Sequence, residues 1–226
     1  MDWQAVGVTV RLASYTTFIL LIVGLPLSYG LTRWKSPCRP LIEALIALPL
    51  VLPPTVLGFY LLLAMGPQSW VGNFLEKSTG LVLPFSFSGL LIGSVIYSLP
   101  FAVQPFLAAF QSVDPAKIEA SWCMGISKTR TFFKLILPLS ASGILTGTIL
   151  SFAHTLGEFG VVLMIGGDIP GATRTLSVSL YDQVQSMDYK NAASTSLLLL
   201  AVSLFILTLL GHLRKSQAIF WITKNY

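Results

Sequence analysis

Charge is scarce in this chain: lysine, arginine, aspartate and glutamate together make up 10% of its 226 residues, where a soluble domain carries about 25%. An ordinary water-soluble enzyme is excluded on that ground. Two cysteines are too few for a disulfide scaffold, and two histidines, His154 and His212, cannot supply the paired axial ligands of a haem-bearing membrane anchor. No spacing of His, Cys, Asp and Glu reads as a metal site. Apolar surface takes the place of charge. Hydrophobic residues reach 54% and the mean hydropathy is +0.77, more than one compact core could hide. The expected fold is therefore all-α, a polytopic bundle of membrane helices.

Five apolar stretches are long enough to cross a bilayer, at about 12–32, 41–65, 89–110, 139–165 and 191–212. The first should stay as an anchor, because no basic residue precedes Arg11 and no small-residue cleavage site follows. With five spans, ten of the fourteen Lys and Arg residues share one side: Arg33, Lys35, Arg39, Lys117, Lys128, Arg130, Lys134, Arg214, Lys215 and Lys224. Arg11, Lys77, Arg174 and Lys190 take the other. The positive-inside rule then places the N-terminus outside and the tail at 213–226 in the cytoplasm. The lipid bilayer accounts for the basic balance, so no nucleic-acid partner is needed. Cys38 and Cys123 fall on the cytoplasmic side as free thiols. Trp3, Trp34, Trp70 and Trp221 lie near span ends, as indole prefers; Trp122 does not.

Breaks in the spans are the first functional signal. Pro49, Pro53 and Pro54 interrupt the second stretch, Pro100 and Pro105 the third, and Gly157, Glu158 and Gly160 sit in LGEFG toward the end of the fourth. Prolines and glycines are commoner in membrane helices than in soluble ones, but five prolines in two spans point to kinked helices that line a path or a gate. Gly143 with Gly147, and Gly89 with Gly93, are spaced for close helix contact.

The loop at 111–138 is too ordered in its signals to be a plain connector. Asp114 can cap a helix that starts at Pro115, and Gly125 can end it in a left-handed turn. Ile118 and Trp122, four apart, form an apolar stripe on it, with Glu119, Ala120 and Ser121 between them. Ser127 can cap a second short helix, and Pro138 begins the next span. The pattern suits a docking knob on the cytoplasmic face; an amphipathic helix lying on anionic lipid is the alternative. No nucleophile has a base beside it.

These residues resemble the permease subunits of binding-protein-dependent ABC importers of the type I fold. Their signature is Glu-Ala-Ala, three residues, Gly, nine residues, then a hydrophobic-x-Leu-Pro ending. It stands here as Glu119, Ala120, Ser121, Gly125 and the run Leu135 to Pro138, with Ser121 in place of the second alanine. The stretches 48–62, 98–101, 156–164 and 169–176, with Asp188 and Tyr189, are similar to molybdate importer permeases in particular. The resemblance runs over about 7–212, the expected transmembrane domain. It implies a homodimer in a bacterial or archaeal plasma (inner) membrane, two cytoplasmic ATPase subunits, and a periplasmic or lipoprotein binding protein that delivers the oxyanion. Residues 115–126 would be the coupling helix, with Ile118 and Trp122 as anchors in the ATPase. No cofactor is expected in this chain: GISKT at 125–129 lacks the glycines of a phosphate-binding loop, so the partner ATPase would hold ATP and Mg.

No ring of Arg or Lys stands inside the spans, which suits a weakly binding passage supplied by a high-affinity partner. Pro53, Pro54, Thr55, Ser98, Ser151, Thr155, Gly157, Glu158 and Gly160 are its candidate lining or gate. His154 and Glu158, four apart, could also form a proton relay, or could simply belong to the helix break. Outside, Asp168, Pro170, Gly171 and Arg174 are candidate contacts for the binding protein, followed by an amphipathic helix with Leu176, Leu180, Val184 and Met187 in register. Tungstate and sulfate or thiosulfate remain alternatives to molybdate, and a self-powered secondary transporter is an alternative of another class that would show internal repeats or buried charges.

Overall fold

The computed structural model describes residues 2–224, leaving aside the side chains of Thr79 and of 214–224. Arg214, Lys215, Trp221 and Lys224 therefore lie outside the described side chains. The fold is helical, with no strand among the described residues. Helix α1 (Trp3–Arg33) starts where Asp2 accepts a hydrogen bond from the Ala5 N–H. A turn leads to α2 (Arg39–Val51), α3 (Pro54–Met65) and the short α4 (Trp70–Thr79); α5 (Phe87–Gln111) follows. Then come α6 (Pro115–Cys123), α7 (Lys128–Thr131), a π-helical turn (Phe132–Ile136), α8 (Leu137–Leu139) and α9 (Ala141–Leu156). The chain ends in α10 (Gly160–Gly166), α11 (Leu176–Gln185) and α12 (Tyr189–Lys224).

Side-chain contacts fix the course of the chain. Arg11 lies 4.5 Å from the Phe87 ring centroid, and Tyr29 packs against Phe110 at 5.6 Å, so α1 and α5 run parallel. The chain must cross back between them, and α2 with α3 makes that return. Helix α9 runs antiparallel to α5, with Gly143 beside Ala109 and Thr155 beside Ser98. Helices α1, α5 and the Tyr189–Leu213 part of α12 are each long and apolar enough to span; two bent pairs bring the total to as many as five. Five spans were expected; three helices qualify as they stand, and the other two segments qualify only if each bent pair is one span.

The second, expected over 41–65, is α2 and α3 bent by 113°. Leu52 and Pro53 each precede a proline and are forced extended, with ψ of 136° and 133°. Pro100 and Pro105 stand singly and lie inside an unbroken α5, so the expectation of a break there is corrected. The fourth segment, expected over 139–165, is shorter. A 68° bend separates Lys128–Leu139 from α9, and α9 stops at Leu156. Past Glu158 the chain resumes as α10, which packs on α3 and α5.

At the centre, the Phe106 ring on α5 is fully buried and fills notches at two glycines. A Cβ at Gly24 of α1 would stand 3.3 Å from it, and one at Gly147 of α9 would stand 2.6 Å from it and 2.8 Å from the Ala102 carbonyl oxygen. Lipid is as apolar as this core, so van der Waals fit rather than water exclusion holds the three helices together. Both glycine pairs serve close contacts: Gly143 and Gly147 against α5, and Gly93 against Ile165 of α10.

Candidate functional site

The expected helix, glycine, helix element forms at the end of the bundle shared by the C-terminal ends of α1 and α5. Asp114 accepts from the Ala116 N–H at 2.9 Å, Pro115 opens α6, and Gly125 has φ +75°. Ser127 caps α7 through the Arg130 N–H. Glu119 and Ala120 are exposed, whereas Ile118 is half-buried against Phe110 and Ile136 of the bundle. The apolar stripe is therefore split: Ile118 seats α6 on the bundle, and Trp122 is on the surface between two cations. The Arg33 guanidinium and the Lys128 ammonium lie 5.4 and 6.0 Å from its ring centroid. Ser121 is buried, and its hydroxyl lies 2.5 Å from that of Thr131, pinning α6 to α7. Replacing Ser121 with alanine leaves Thr131 without that partner, and we expect a loss of about 1–3 kcal/mol in local stability, read as faster amide exchange across residues 115–131.

At the other end, a cavity of about 530 Å³ brings together Pro54, Thr55, Gly157, Glu158 and Gly160 with Tyr97, His154 and Phe159. Pro53 is the extended residue at its edge. Ser98, Ser151 and Thr155 are buried behind it, with the Ser151 hydroxyl donating to the Thr148 carbonyl at 3.0 Å. Thr155 donates to the Ser151 carbonyl at 2.9 Å, so Ser98 must donate to Thr155 at 3.0 Å. Ser98 then accepts from His154 Nδ1, 2.9 Å away, which leaves Nε2 as the acceptor nitrogen. The His154 ring stacks on Phe101 at 3.8 Å. Glu158 is 3% exposed, and neither carboxyl oxygen has a hydrogen-bond partner among the described residues. Ser94 is its neighbour, but that hydroxyl too is unpaired. His154 and Glu158 thus share the cavity without bonding to each other. No group of three metal-binding side chains occurs among the described residues.

Over residues 21–215 the chain matches the family described as binding-protein-dependent transport system inner membrane component. It belongs to that family. It is 50% identical to the molybdenum transport system permease protein ModB of Azotobacter vinelandii over 84% of either chain. It is 32% identical to a probable sulfate transport system permease protein, cysT, of Prototheca wickerhamii, over 92% of this chain and 81% of that one. A bacterial ABC transporter that imports the acidic polysaccharide alginate shares the fold, with a TM-score of 0.77 at 16% identity over 94% of this chain and 78% of that one. This is a multi-pass membrane protein.

In such a family member, the loop between α10 and α11, expected on the outer side, can be weighed as a contact surface. Arg174 is bidentate on Asp168, with Nη2 2.8 Å from Oδ2, and its Nη1 lies 3.9 Å from Asp2. The hydrogen bond to Asp168, followed by the nearby carboxylates, raises the pKa of the guanidinium above its usual value. Asp168 and Arg174 are therefore spent on each other, bracing the loop against the start of α1. Pro170 and Gly171 project, with Gly171 at φ +73°. Thr9 of α1 adds a second tie by accepting from the Leu176 N–H at 2.8 Å. Of the expected stripe, Leu176 is buried and Val184 exposed on α11, whereas Met187 lies past the helix end at φ +58° and so leaves the register. Arg174→Ala should cost about 1 kcal/mol, because the pair is part-exposed, and should appear as faster proteolysis within 166–175 while the bundle stays folded.

Sequence reasoning missed Arg33 and Lys128 as the flanks of Trp122, Thr131 as the partner of Ser121, and Tyr97 as a wall of the cavity. None has a local pattern that would have marked it.

Proposed function

We propose that this chain is the permease subunit of an ATP-driven molybdate importer, working as a homodimer with two cytoplasmic ATPase subunits and an external binding protein, by alternating access. The identity of 50% to a molybdenum permease across 84% of the chain is the observation that carries the substrate. The exposed Glu119 and Ala120 on a rigidly capped α6 support the coupling role, with Asp114, Pro115 and Gly125 shaping the helix, Ser121 and Ile118 seating it and Pro138 starting the next helix. The N-terminus is outside, and α6 is on the cytoplasmic side with Arg33, Lys35 and Lys128. Residues 7–212 form the transmembrane domain and 213–226 the cytoplasmic tail, in a bacterial or archaeal inner membrane. The chain itself is non-catalytic and carries no cofactor; ATP and Mg belong to the partner.

The passage runs by the cavity at the α9–α10 break. A buried carboxyl without partners marks a place where stability has been given up for function, and the surrounding hydroxyls and helix ends suit an anion that is handed on rather than held. Pro170 and Gly171 meet the binding protein, while Asp168 and Arg174 hold them out. Sulfate is the second reading, favoured by the sulfate relative at 32% identity, because both substrates are tetrahedral dianions. Uptake of radiolabelled molybdate into vesicles carrying the permease with its ATPase and binding protein tests the proposal. ATP-dependent uptake that excess sulfate fails to displace supports it; sulfate uptake with molybdate excluded overturns it.

A further inference from the structure

The end of α1 and the base of α6 enclose a cavity of about 490 Å³ that the transport role leaves unused. Its buried side is apolar, made by Phe110 and Ile136, with half-buried Ile118 of α6 beside them. Its exposed side carries Arg33 and Lys35. The Arg33 guanidinium sits over the Tyr29 ring at 5.3 Å and the Trp122 ring at 5.4 Å. A cation–ring contact uses the charge without engaging the N–H donors, which stay available to an oxyanion. Among the described residues, no carboxylate lies within ion-pair distance of Arg33, Lys35 or Lys128. Asp114, the cap residue of α6, has one oxygen engaged by the Ala116 N–H. The apolar run of α1 stops at Leu31, and exposed Trp34 follows, which is the level of lipid headgroups.

A cation pair over an apolar pocket at headgroup depth fits a phosphate joined to an acyl chain. A hydrated free anion would gain nothing from Phe110, Ile118 and Ile136. We propose that this cavity binds the phosphate of an anionic phospholipid of the adjoining leaflet, held by Arg33 and Lys35, with its chain along the Phe110–Ile118–Ile136 wall. One wall of the site is α6, so the lipid bridges the bundle to the coupling helix. The site rests on the reading of α1 as a span and of this end as cytoplasmic, where anionic lipids concentrate.

The permease, purified with its partner subunits, would be reconstituted in nanodiscs of phosphatidylcholine with a minority of phosphatidylglycerol. Lipids retained after transfer to detergent would be counted by native mass spectrometry. Retained phosphatidylglycerol should be enriched over its bulk share. Arg33→Gln or Lys35→Gln should each lower that preference about fivefold, and the pair about thirtyfold. An Arg130→Gln, Lys134→Gln pair removes the same charge without lining the cavity, and should leave the preference intact. Equal loss in both double variants, or no loss in either, overturns the proposal. Displacement of the lipid by free inorganic phosphate overturns it too, since that would mark a simple anion site. Molybdate uptake by the unaltered protein, measured in parallel, separates the two claims: retained lipid preference with uptake confined to sulfate speaks against the function, not the cavity.

Discussion

Gly147→Leu should give a chain that no longer folds into a single species. A Cβ there meets the Phe106 ring at 2.6 Å and the Ala102 carbonyl oxygen at 2.8 Å. The ring is wedged between α1 and α9 and cannot retreat, because Gly24 closes the other side at 3.3 Å. The carbonyl is α5 backbone and cannot rotate away. Overpacking of this kind costs about 1–3 kcal/mol where side chains yield, and more where backbone must move. We expect the monodisperse fraction in size-exclusion chromatography to fall at least about tenfold, since each 1.4 kcal/mol is a factor of ten. Gly7→Leu and Gly30→Leu supply the control, because nothing stands within 4 Å of either added Cβ. A well-folded Gly147→Leu protein would mean that α5 and α9 do not cross here.

Glu119→Ala should behave in the opposite way, leaving the fold intact and abolishing coupling. Glu119 is exposed, and no hydrogen bond or ion pair within the described residues involves it. Its removal should change stability by no more than about 0.5 kcal/mol. In the proposed role it is buried against the ATPase, where truncating a charged partner costs about 2–5 kcal/mol, or at least about a thirtyfold loss of affinity. Pull-down of the ATPase and molybdate-stimulated ATP hydrolysis are the readouts. Gly125→Val tests the frame that aims Glu119: the site is open, but φ of +75° costs a β-branched residue about 1–2 kcal/mol or more. Both variants should fold and fail to transport. Normal ATPase docking by Glu119→Ala would remove α6 from the coupling role.

The difference between these two variants reflects what a sequence exposes. Caps and turns depend on neighbours a few residues away, so Asp114, Gly125 and Ser127 were legible, and all three act as expected. Glycine spacing was legible as a pattern, though not its partner: nothing in Gly147 names Phe106. The prolines show how far local chemistry reaches. Two adjacent prolines break the second span because each fixes the residue before it, while the isolated Pro100 and Pro105 are absorbed within α5, each removing one backbone donor.

Long-range partners were not legible. Ile118 and Trp122 are equivalent in sequence, yet one packs inward and the other lies between Arg33 and Lys128, because the end of α1 happens to reach α6. Arg174 looked available to a partner and is spent on Asp168. By itself the sequence determined the membrane class and the capped loop, since hydropathy and capping act over one helix or less. The tertiary structure decided which glycines meet which rings, where α10 lies, and which of the few charges remain free, since those depend on helices far apart in the chain being brought within van der Waals reach.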